Sequence, residues 1–141
     1  MRYFPALVFG LLLFVMVNFA FSISAEYSPI LNYLKSIPNL NSNSGEYWLL
    51  GLHDSIIVIL ISLISLVAYK LILPKSPFNL FAALLIQLPI VILNLVSPGV
   101  TLNFSSTYHS ATSIVNLISF VSIGLVFFVL IAYNKHLNRD K

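Results

Sequence analysis

Four apolar runs divide this chain, and each is close to the length that crosses a bilayer: residues 4–21, 55–73, 78–96 and 111–133. A helix needs about 20 mostly apolar residues to span about 30 Å of hydrocarbon. Pro5, Gly10 and Asn18 interrupt the first run, and Gln87, Pro89 and Asn94 interrupt the third. Lys70 lies near enough to the end of the second to snorkel its ammonium into the headgroups. None of the runs alternates with a period of two, and continuous apolar stretches satisfy their backbone in lipid only as helices. A soluble alternative fails on composition. Only 8% of the 141 residues are charged, where a soluble domain carries about 25%. The expected fold is therefore an all-α integral membrane protein, one transmembrane domain built as an antiparallel four-helix bundle. The short connection at 74–77 predicts a tight hairpin between the second and third spans.

The charges orient the bundle. Arg2 precedes the first span, Lys70 and Lys75 flank the second connection, and Lys135, Arg139 and Lys141 follow the last span. The other two connections hold Lys35 alone among basic residues, beside Glu26, Glu46 and Asp54. Six of the seven basic residues thus fall on one side, which the positive-inside rule makes cytoplasmic. Both ends are expected in the cytoplasm, in the manner of a bacterial inner-membrane protein, with the outer segments periplasmic or extracellular. The first run has a second reading as a signal peptide cut after Ala25. Charge does not decide between the two, because removing that run leaves the others oriented as before.

The segment 22–54 is the main piece outside the expected spans. Ser28 followed by Pro29 reads as an N-cap with proline in the first turn. Ile30, Leu31, Leu34 and Ile37 recur at helical spacing, predicting a short amphipathic helix that lies on the membrane surface or caps the bundle. Tyr47 and Trp48 stand where an aromatic belt belongs.

Two groups of residues are candidates for chemistry. Inside the spans, Ser55, Ser62, Ser65 and Tyr69 share one helical face, as do Asn79, Ala83, Gln87 and Asn94, and as do Thr112, Asn116 and Ser119. Three such stripes imply that the polar residues meet inside the bundle. There they form either a polar pathway or the hydrogen-bonded packing by which membrane helices associate. No ionisable residue lies at mid-depth to hold a proton or ion. Pro89 would free a backbone carbonyl within the third span. On the outer side, His53 and Asp54 precede the second span, and Tyr108 and His109 precede the fourth, with Glu46 near in sequence. Two imidazoles and a carboxylate are acid–base or zinc-ligand chemistry, but no His-x-x-x-His spacing fixes a geometry. Asp54 has a structural alternative as a helix cap.

There is no cysteine, no phosphate-binding glycine loop and no nucleophile elbow. No cofactor or metal is expected, and singly scattered basic residues do not suit nucleic acid. The expected partners are membrane lipids together with another membrane protein or a second copy of the chain. Three functions follow in descending order: a non-catalytic accessory or scaffolding component of a membrane complex, a homo-oligomeric pore or small-solute transporter, and a membrane enzyme using His53, Asp54 and His109. Asn103-Phe104-Ser105 is also a glycosylation sequon on the expected outer side.

Overall fold

The computed structural model describes residues 2–96 and 102–137. Among these there are five α-helices and no strand: α1 Phe4–Tyr27, α2 Pro29–Ser36, α3 Tyr47–Ile72, α4 Leu80–Val96 and α5 Thr107–Leu137. At 1.5 Å per residue, α1, α3 and α5 are roughly 36, 39 and 46 Å long. These three are long and apolar enough to cross a membrane, while α4, at 17 residues, is a shorter apolar helix.

The helices overrun the apolar runs where nothing stops them. Residues 22–27 contain neither Gly nor Pro, so α1 continues until Ser28 takes an extended conformation. Likewise α3 begins at Tyr47, two turns before Ser55. Asp54 therefore lies inside α3 and does not cap it. The start of α5 is set by Ser106, whose hydroxyl accepts from the His109 N–H at 3.3 Å. Asn79 caps α4, its Oδ1 accepting from the Ala82 N–H at 3.0 Å, which removes it from the stripe expected along the third span. The short helix α2 forms where expected. Ser28 Oγ accepts from the Leu31 N–H at 3.5 Å, and Pro29 occupies the first turn. Leu34 is buried while Asn32, Lys35 and Ser36 are exposed.

Four helices form a ring in the order α1, α3, α5, α4, each packed on its two neighbours, and α2 lies against α1 and α3. Ring contacts give the directions. Tyr3 meets Phe81 at 4.8 Å where α1 and α4 both begin, so that pair runs parallel. Gly51 meets Ala111 and Ser62 meets Ser122, so α3 and α5 also run parallel. Phe9 against Tyr69 makes α1 and α3 antiparallel, and Phe78 against Phe127 does the same for α4 and α5.

The tight α3–α4 hairpin does not form. Those two helices stand on a diagonal of the ring. Residues 73–79 can reach across, because an extended chain covers about 3.3 Å per residue and a diagonal between helices packed 8–10 Å apart is roughly 13 Å. The Tyr69 hydroxyl donates to the Pro77 carbonyl at 3.2 Å and ties the connection down. Leu13, Val58, Leu66, Ile86 and Ile123 form the centre of the core, fully buried from all four long helices.

This topology segregates charge. Arg2, Lys70, Lys75 and Lys135 lie at one end of the bundle, the basic end. Lys35, Glu26, Glu46 and Asp54 lie at the other.

Candidate functional site

Midway along the bundle, Gln87 of α4 is 6% exposed and faces α5. Its Nε2 donates to the Ser119 carbonyl at 2.6 Å, and its Oε1 accepts from the Ile123 N–H at 2.7 Å. Ser119 C=O and Ile123 N–H are the two ends of one i→i+4 step of α5. The Gln87 carboxamide thus grips a single rung of a neighbouring helix with both of its polar ends. A buried carboxamide without partners would carry a desolvation cost of about 1–3 kcal/mol. Here each end is satisfied.

Ser119 is a junction. Its hydroxyl donates to the Asn116 carbonyl at 2.7 Å and accepts from Asn94 Nδ2 at 3.3 Å. On the next face of α5, Ser122 receives a 2.8 Å hydrogen bond from Ser62 of α3. Both serines are fully buried. Ser55 folds back on its own helix, donating to the Gly51 carbonyl at 2.7 Å, and Ser65 is buried on the same side of α3. The structure therefore brings Ser62, Gln87, Asn94 and Ser119 into one chain of contacts through Ser122, a residue not singled out from the sequence. Its signal was there: three residues after Ser119, it adjoins the same stripe. Asn94 and Asn116 border a cavity of about 190 Å³.

Pro89 has a packing role. An added Cβ at Gly10 of α1 would fall 2.4 Å from the Ile86 carbonyl oxygen and 2.8 Å from two Pro89 ring carbons. Glycine is the residue that lets the α1 backbone come this close, and α4 stays helical through the proline.

At the end opposite the basic one, Ser28 joins two helices. Its N–H bonds the Ser24 carbonyl to close α1, and its own carbonyl accepts from the Asn32 N–H to open α2. The Ser28 hydroxyl lies 3.4 Å from His53 Nε2, and His53 Nδ1 lies 2.8 Å from Asp54 Oδ1. One assignment satisfies both contacts with a neutral ring: Nδ1–H donates to Asp54, and Nε2 presents a lone pair to the serine hydroxyl. Hydroxyl, imidazole and carboxylate in that order are the arrangement in which a serine is activated by a general base. Ser28 is nevertheless 5% exposed, and its hydroxyl also caps α2.

His109 and Glu46 stand apart from this group. Gly51 and Ala111 make the α3–α5 contact. His53 lies two residues after Gly51 and His109 two residues before Ala111, each about 200° around its helix, and so both face away from it. His109 is exposed with its ring 5.4 Å from that of Tyr108. Glu46 accepts from the Ser44 hydroxyl, which together with a backbone N–H holds its carboxyl below the usual 4.5. Among the described residues, no three His, Asp or Glu side chains gather where a metal could sit. Compared with protein-family models, curated proteins and solved structures, the chain matches none.

Proposed function

We propose that this chain is a four-span protein of a bacterial cytoplasmic membrane, with both ends in the cytoplasm, acting as a non-catalytic accessory or scaffolding component of a membrane complex. One observation carries the functional part: at the middle of the bundle, the buried polar side chains of Gln87 and Ser62 are bonded to neighbouring helices. Gln87 is engaged at both ends by α5, and Ser62 by Ser122. A solute pathway needs polar groups left to face the solute, and a proton pathway needs an ionisable side chain at depth. What these groups do instead is lock α3, α4 and α5 together. The gathering of Arg2, Lys70, Lys75 and Lys135 at one end supports a cytoplasmic basic face. In this reading α4, roughly 26 Å long, is the fourth span.

Native mass measurement after extraction in mild detergent tests the accessory role. The expected result is the chain held in a complex with a different membrane protein. A homo-oligomer alone would overturn it in favour of the pore. Topology is tested separately, and the absence of cysteine makes that simple. A cysteine introduced at Ser76 should react only with reagent on the cytoplasmic side, and one at Asn41 only with reagent outside. The opposite pattern would invert the bundle.

The Ser28–His53–Asp54 arrangement favours a second reading, a membrane hydrolase that forms an acyl-serine. A fluorophosphonate probe that labels Ser28, and fails to label His53→Ala, would establish it. An unlabelled chain leaves the accessory reading standing.

A further inference from the structure

The cavity bordered by Asn94 and Asn116 lies between α1, α4 and α5, near the end where α4 stops. Its floor is Val17, Ile90, Val115 and Ser119, all buried, and its rim includes Phe21 and the exposed Asn18. Phe14 and Phe21 supply two aromatic rings, and Asn18, Asn94 and Asn116 supply three carboxamides. We propose that this cavity binds the head group of a lipid-soluble quinone: a flat, neutral ring with carbonyl oxygens on its edge.

Three features select that chemistry. The first is neutrality. No ionisable side chain lines the cavity, so a charged ligand would sit there without a counter-charge. The second is hydrogen-bonding capacity. Among the described residues, the Asn116 side chain has no partner, although it stands beside Asn94, whose amide makes only a 3.3 Å bond to Ser119. The Asn18 amide is turned back onto the Phe14 carbonyl of its own helix, at 2.9 Å. These amides are available to donate to a carbonyl. Gln87 shows the contrast, since both ends of its carboxamide are engaged. The third is size and wall chemistry. A cavity of about 150 Å³ lined by apolar side chains takes up benzene, so 190 Å³ admits a substituted ring. Aromatic walls favour a flat guest. The inference rests on the reading that these helices lie in lipid, because a quinone would reach the site through the apolar phase.

The test is equilibrium binding of menadione, a methylated naphthoquinone, to the full chain in detergent micelles. A methylated naphthalene without carbonyls is measured alongside it. The expected result is saturable one-to-one binding of menadione, with the naphthalene weaker. Asn116→Leu should weaken menadione binding by up to about tenfold, as loss of one hydrogen bond does, and leave the unfolding midpoint near that of the parent. Val115→Phe, which fills the floor, should abolish binding. Asn94→Leu reads the same contact if Asn116→Leu does not fold. The proposal is overturned if menadione does not saturate, if the naphthalene binds as tightly, or if the filled variant binds as before. In the first case the cavity holds only water or detergent. Cysteine labelling at Ser76 and Asn41 reports membrane insertion independently, so a failure of the lipid reading is distinguishable from a failure of the site.

Discussion

The bundle consists of two parallel pairs held by different means. In α1–α4 the contact is shape: Gly10 lets the α1 backbone come down on the Ile86 carbonyl and the Pro89 ring. In α3–α5 it is small residues together with a hydroxyl: Gly51 lies on Ala111, and Ser62 donates to Ser122. Gln87 then joins the two pairs by holding the α5 backbone. The difference teaches how membrane helices tolerate change. Lipid tails are as apolar as leucine, so burying apolar surface does little to hold helices together there. Close packing fails abruptly when an atom is added. A hydroxyl contact fails gently, because a serine on a helix can turn to another carbonyl.

The largest effect is expected at Gly10. Gly10→Val places atoms against backbone oxygen and a rigid ring, and overpacking of this kind costs about 1–3 kcal/mol or more. Denaturant titration in detergent should show the loss. At Gly51 an added Cβ meets the Ala111 methyl at 3.0 Å, a softer contact, so Gly51→Ala should cost less than Gly10→Ala. At Gly124 an added Cβ meets nothing within 4 Å, and Gly124→Ala should leave stability unchanged or slightly raised. If Gly10 tolerates valine as Gly124 tolerates alanine, the α1–α4 pair is not held by close approach.

Gln87→Leu comes next, at about 1 kcal/mol. The loss is bounded because Ser119 C=O and Ile123 N–H can bond each other once the carboxamide is gone. Hydrogen exchange at the Ile123 amide should therefore stay slow. Fast exchange with a loss of several kcal/mol would mean that α5 depends on the clamp to complete its own ladder.

Ser62→Ala should cost less again, about 0.6 kcal/mol, since Ser122 retains a contact to the Ser119 carbonyl. A cost as large as that of Gly10→Val would erase the distinction between the two pairs.

The smallest effect lies outside both pairs, where residues 42 and 43 are tied to the start of α5 by Tyr108 N–H to the Ser42 carbonyl and the Thr107 hydroxyl to the Asn43 carbonyl. Beside these ties, the Glu46 carboxyl is held below 4.5, chiefly by the Ser44 hydroxyl. A carboxyl lowered in the folded state adds stability above its ordinary value, and that contribution is lost as pH falls through the lower folded value. Protease cleavage in this segment should rise as pH drops below 4.5. In Ser44→Ala most of that contribution is missing at every pH, so cleavage should be higher at neutral pH and its dependence on pH flatter. A profile unaffected by the substitution would detach Glu46 from the ordering of the loop.

The sequence by itself determined the helices, because the bilayer's demand is local: an apolar stretch of a given length is written in consecutive residues. The short helix α2 was legible for the same reason, since Ser28, Pro29 and the spacing of its apolar residues lie within one segment. The charge segregation follows from helix alternation and needs no contact at all. Only the tertiary structure decided which helices touch. A polar stripe declares which side of a helix turns inward but not which helix it meets, so neither the diagonal placement of α3 and α4 nor the partnership of Ser62 with Ser122 could be read in advance. The same limit hid the role of Ser28 beside His53. A cap is a contact within one segment, whereas a hydroxyl meeting an imidazole 25 residues away depends on how two helices cross.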